Sequence, residues 1–192
     1  MDRLSYSFIL GYHGCDREVG ERLLEGVPFR TSENEYDWLG HGIYFWEANP
    51  SRGLEFAKEA KKRNPRKLKT PYVVGAVIDL GDCLDLSTSK GVAAARQAYE
   101  SLKRLYNVLE EPLPTNSNDR LKRPLDCNVI EHAHNIYESL GKRFDSVRGI
   151  FTEGVPAYDG AGFDAKTHVQ IAVRTLECIK GVFRVPDRYL EV

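Results

Sequence analysis

The chain has 192 residues, a usual size for one domain with a full hydrophobic core. Its 27 lysines and arginines face 28 aspartates and glutamates, a formal net charge of -1, which excludes whole-protein charge as a basis for binding a polyanion or a membrane surface. Cys15, Cys83, Cys127 and Cys178 are scattered, without C-x-x-C pairs or disulfide-scaffold density, so reduced thiols in a cytoplasmic protein are expected, and no metal site.

Met1 to Gly14 holds one short apolar run, far shorter than a signal-sequence core or a membrane span, and neither secretion nor membrane insertion is expected. Phe8 to Tyr12 predicts a strand. Asp16 caps a following helix whose Val19, Leu23 and Leu24 share a face before Gly26 ends it. The polar stretch Thr31 to Asp37 leads into Trp38 to Phe45, where Gly40 and Gly42 bracket the start of an aromatic strand and invite close backbone approach. Asn49-Pro50-Ser51 opens a second helix that carries Leu54, Phe56, Ala57 and Ala60 and ends in a basic run before Pro65.

Tyr72 to Leu80 is apolar throughout and rich in β-formers, which predicts a central strand. From Ser87 to about Leu109 the spacing turns helical, Glu111 to Pro124 with its prolines reads as an exposed loop, and Asp126 to Leu140 predicts a further helix. Three strands follow, Ser146 to Phe151, His168 to Val173 and Val182 to Val185, with the loop Glu153 to Lys166 between the first two. Strands at both ends, helices between them and several joins too short for a crossover predict a single α+β domain with largely antiparallel sheets.

Tyr12-His13-Gly14, followed about thirty residues later by Gly40-His41-Gly42-Ile43-Tyr44-Phe45, resembles the NAD-binding signature of the poly(ADP-ribose) polymerases and diphtheria-toxin-like ADP-ribosyltransferases. Similarity runs through Leu24-Glu25-Gly26 and the helix after Phe45 to Gly75-Ala76-Val77-Ile78-Asp79-Leu80-Gly81, and returns at the last strands. The resemblance implies one catalytic domain over 1-192, an ADP-ribosyltransferase-like split antiparallel β-sheet with flanking helices, and a helical insertion at about 88-142. It further implies NAD as co-substrate and transfer of a single ADP-ribose to a macromolecular acceptor, protein or nucleic acid. A toxin or defence effector, with an inhibitory antitoxin as partner, is the role it would fit. NAD glycohydrolysis, or NAD/ADP-ribose binding without turnover, remain the alternatives.

NAD is an N-glycoside whose cationic leaving group departs through an oxocarbenium-like transition state, so a site must hold nicotinamide rigidly and stabilise charge on the ribose. By resemblance, His13 hydrogen-bonds the adenosine ribose, the Gly14 backbone grips the carboxamide, Gly42 belongs to the NAD-binding strand, and Tyr44 stacks on the nicotinamide ring. Phe56 stands close to a second family aromatic, with plain core packing as the alternative, and Gly53 falls near a family serine that binds the carboxamide. Arg30 is near a family arginine on the adenosine side, or else forms an exposed ion pair. The family's strand glutamate has no counterpart. Gln170 matches its position but carries no charge, and Glu153, at the edge of the preceding loop, offers the carboxylate. The basic run Lys58 to Lys69 reads either as a nucleic-acid track or as a solvated helix end. His132 and His134, two apart on a predicted helix, face different directions and make a poor metal pair.

Overall fold

The computed structural model describes residues 8-118 and 121-190. Strand β1 (Phe8–Asp16) passes into helix α1 (Arg17–Leu24) through Asp16, whose carboxylate accepts from the N–H of Glu18. The same side chain accepts from Thr70 and Lys69, and these backbone donors, Thr70 first, hold its carboxyl below the ordinary range. Strand β2 (Ile43–Glu47) leads to α2 (Pro50–Arg63), with the Asn49 side chain capping the Arg52 N–H and Pro50 in the first turn. Strands β3 (Pro71–Asp79) and β4 (Cys83–Asp85) precede α3 (Ser89–Leu109) and α4 (Pro124–Ser139), and β5 (Ser146–Phe151), β6 (His168–Val173) and β7 (Ile179–Arg184) complete the chain.

The seven strands form one mixed sheet in the order β4-β5-β6-β2-β1-β3-β7. All pairings are antiparallel except β4 with β5, the pair that α3 and α4 connect as a crossover. The chain is therefore α+β, with the middle helices joining two strands of the same sheet. Strand β1 continues past the predicted end at Tyr12 because β3 pairs with it in register from Phe8↔Asp79 to Asp16↔Pro71. The three residues of β4 were not predicted; they are too few to show a period.

Alternation along the strands sends neighbouring side chains to opposite faces. One face buries Ile43, Phe45, Val74, Ile78, Ile171 and Val173 with Leu23 of α1. The other carries Leu39, Leu84, Val147 and Ala172, packed on Ala98 of α3 and Ile130 of α4. Helix α2 lies on this second face, where Phe56 meets Trp46. No helix among the described residues is long and apolar enough to cross a membrane.

His134 points into the second core, 2% exposed and edge-on to Phe144, with no hydrogen-bond partner for Nε2 among the described residues. Burial, followed by the Arg174 charge, pushes its pKa down to about 4. A histidine held below its unfolded value favours the neutral form in the fold, so the unfolded chain binds the proton first and stability falls as pH drops from 6.5 towards 4. Each such histidine contributes a slope of at most about 1.4 kcal/mol per pH unit. Wild type should lose melting temperature across this window, and His134→Leu should flatten the decline; an equal decline in both would remove His134 as a cause.

Candidate active site

Strands β1 and β2 pair only at Gly11↔Glu47 and Tyr12↔Trp46, although β1 follows β3 along its whole length. Beyond Tyr12 the two strands part, and His13 fills the gap by donating its Nδ1–H to the Tyr44 carbonyl at 2.8 Å. A carbonyl only accepts, so the proton sits on Nδ1 and Nε2 keeps a lone pair. The ring packs edge-on to Phe29 at 5.3 Å and tilted against Phe45 at 5.7 Å. Burial lowers its pKa, leaving a neutral imidazole at pH 7.

Gly14, next along β1, faces α2. A Cβ there would fall far inside van der Waals contact distance of the Gly53 carbonyl oxygen, so strand and helix touch backbone to backbone at these two glycines. Gly42 is held by paired hydrogen bonds with Ser32 and lies against Ala172 of β6. Gly40, at φ +74, is covered by Glu131 of α4, whose carboxylate accepts from the His41 N–H at 2.7 Å and from Arg174 at 2.6 Å. Arg174 also donates to the His41 carbonyl at 3.1 Å. The helical segment expected as an insertion thus clamps the Gly-His-Gly turn, and the close approach expected at these glycines is made by β6 and α4.

Tyr44 and His13 meet through the backbone but face opposite sides of the sheet. The Tyr44 ring packs in the second core, its hydroxyl donating to Gly40 O at 2.7 Å and accepting from Leu39 N–H at 2.8 Å. Burial raises its pKa well above the ordinary value, so the hydroxyl stays protonated. Phe56 packs on Trp46, with ring centroids 4.7 Å apart, rather than standing across from Tyr44. Arg30 is exposed and takes part in none of the ion pairs among the described residues.

The second face also gathers a polar group under the β5-β6 loop. Gln170 is buried directly across from Trp46. Glu153 accepts from Arg52 Nη2 at 2.9 Å, and Arg52, 5% exposed on α2, has Glu59 at 3.6 Å as a further carboxylate neighbour. Lys166, at the far end of the loop, pairs with Glu59 at 2.7 Å and donates its N–H to Glu153 O. His168 donates Nδ1–H to the Lys166 carbonyl at 2.6 Å. Beside the loop, Trp38, Leu121, Thr152, Glu153 and Asp164 line a cleft of about 230 Å³. Gln170 and Glu153 therefore come to one side of the sheet with Tyr44, Gly14 and Phe56, while His13 stands across from them.

Trp46, Arg52, Glu131, His168 and Arg174 were not singled out from the sequence. Arg52 had a signal, a charge four residues before Phe56 on the inward face of the helix. His168 shares the Gln170 face by strand alternation. Glu131 and Arg174 lie 43 residues apart and carry no local signal. Lys58, Lys61, Lys62 and Arg63 are exposed at the C-terminal end of α2, where cations complement the helix dipole. His132 meets Ser101 of α3 while His134 turns into the core, and no group of residues suited to a metal ion occurs among the described residues.

An uncharacterised protein of Methanocaldococcus jannaschii is 26% identical over 155 residues, covering 81% of this chain and 70% of that protein. No family model and no solved structure matches the chain.

Proposed function

We propose that the protein is an NAD-dependent ADP-ribosyltransferase that cleaves the nicotinamide-ribose bond and transfers one ADP-ribose to a macromolecular acceptor. The observation that carries this reading is the parting of β1 and β2 at His13, whose ring reaches the Tyr44 carbonyl and ties the two resembling motifs together at 2.8 Å. A sheet whose β1–β2 pairing stops at this point supports an ADP-ribosyltransferase-like split-sheet fold, and NAD would bind where the two strands part. His13 offers Nε2 to a ribose hydroxyl, Gly14 and Gly42 let α2 and β6 close against the motif strands, and Gln170 orients the ribose. Glu153, held by Arg52, supplies negative charge towards the oxocarbenium. A toxin or defence effector acting in the cytoplasm under an antitoxin fits this chemistry by analogy alone.

NAD labelled in its adenylate half, incubated with the protein and a cell lysate, separates the readings. Label on macromolecules is the expected result. Free ADP-ribose alone would make the protein an NAD glycohydrolase, and unreacted NAD would leave a binding module and overturn the enzymatic reading.

A further inference from the structure

His168 lies two residues before Gln170 in β6 and shares its face of the sheet. Its bond to the Lys166 carbonyl fixes the proton on Nδ1, so Nε2 carries the lone pair. That Nε2 is buried without a hydrogen-bond partner among the described residues, and so are the Trp46 indole N–H and the Nε and Nη1 groups of Arg52, although Nη1 has the Glu55 carboxylate at 3.9 Å as an ion-pair neighbour. The imidazole is 5% exposed and set among rings, with Trp38 nearly parallel at 6.5 Å, Trp46 at 6.5 Å and Phe151 at 6.1 Å. Arg52 in turn lies over the Trp46 ring at 5.9 Å, so the donors and the acceptor belong to one enclosed cluster.

One buried acceptor beside several buried N–H donors selects the group that completes it. A carboxylate or phosphate would set lone pairs against Nε2, and an ammonium would set its N–H groups against those of Trp46 and Arg52. A neutral hydroxyl both donates and accepts, so a single O–H satisfies Nε2 and a neighbouring donor together.

We infer that His168 is the general base of the reaction, taking the proton of a neutral hydroxyl acceptor bound between its Nε2 and the N–H groups of Trp46 and Arg52. This rests on the NAD reading above. The acceptor O–H gives its proton to Nε2, the oxygen lone pair forms the bond to ribose C1′, and the C1′–N bonding pair leaves with nicotinamide, whose ring nitrogen becomes neutral. Gln170 cannot accept that proton, and the neighbouring histidine can. The charged groups around His168 are Arg52 on α2, Glu153 in the loop and Arg123 ahead of α4. Burial and the two arginines favour the neutral ring, while the bond to Lys166 and the Glu153 carboxylate oppose them and stabilise the imidazolium once it forms. Access requires the Glu153–Lys166 loop to lift, which breaks the Arg52–Glu153 and Glu59–Lys166 pairs that fasten its neck to α2.

The test compares the full chain with His168→Gln, whose amide hydrogen-bonds near the Nε2 position without accepting a proton, and His168→Asn, which keeps a donor for Lys166 O. NAD turnover with lysate is followed from about pH 5 to about pH 9, with NAD affinity measured alongside. Both variants should keep NAD affinity, lose about 100-fold in kcat at pH 7, and lack the fall of kcat at acid pH expected of wild type, which a lowered His168 pKa sets below 6.5. Label on serine, threonine, tyrosine or ribose hydroxyls, or free ADP-ribose from water, identifies the source of the O–H. A linkage cleaved by neutral hydroxylamine, as carboxylate esters are, overturns the hydroxyl assignment. Active wild type with either variant equally active, or with the acid limb retained in a variant, overturns the base alone. Wild type that leaves NAD intact overturns the NAD reading and the base with it.

Discussion

Gly14→Ala should destabilise the protein by about 3 kcal/mol and abolish NAD turnover, because the added Cβ runs into the backbone of α2. Its nearest neighbours would be the Gly53 carbonyl oxygen and carbon and the Ala57 nitrogen, all main-chain atoms of α2. At Gly14 strand β1 is paired with Val73 of β3, which holds it in the sheet, so the helix must lift instead. Lifting α2 separates Phe56 from Trp46 and Arg52 from Glu153, which removes the polar group under the β5-β6 loop. Gly162→Ala is the control: a Cβ at Gly162 meets nothing within 4 Å, and its cost should stay within about 0.5 kcal/mol. Urea unfolding measures both, and a Gly14→Ala midpoint equal to the control would contradict the packing described here.

Tyr44→Ala should cost about 3 to 5 kcal/mol, as expected for removal of a core aromatic. The sequence alone pointed to a ring that contributes to a ligand and leaves the fold intact; in the structure the ring packs with Leu39 and Ala172, and the hydroxyl closes the Leu39–Gly40 turn. Loss of activity in the alanine variant would therefore report unfolding as well as binding. Tyr44→Phe separates the two. It keeps the ring and leaves the Leu39 N–H and Gly40 carbonyl without the hydroxyl, a loss of about 1 to 2 kcal/mol. Thermal unfolding of the pair gives the comparison, and an alanine variant as stable as wild type would place the ring outside the core.

Local chemistry was legible in the sequence. Asp16 and Asn49 announce helix starts through their caps, and the predicted strands Ser146 to Phe151 and His168 to Val173 coincide with β5 and β6. What escaped depends on distant partners. His13 to Asp16 do not read as strand, yet β3 draws them into the sheet, and β4 exists only because β5 offers an edge for parallel pairing. The candidate positions named from the motifs, His13, Gly14, Gly42 and Tyr44, rest on residue type and spacing, which do not tell the face each side chain takes. The cluster of Trp46, Arg52 and His168 was invisible for the same reason: Arg52 finds Glu153 across 101 residues of chain. Glu131 and Arg174 belong to an expected insertion and a strand end, and only their meeting at His41 gives them a role.

The most direct test of NAD cleavage is nicotinamide release by the purified chain, with and without lysate, compared with His13→Ala. On the NAD reading wild type should release nicotinamide, and the variant should do so at least about tenfold more slowly while remaining folded, because His13 is the group proposed to position the donor. No release by wild type under either condition, or equal release by a folded His13→Ala, would contradict the assignment of His13 to NAD binding.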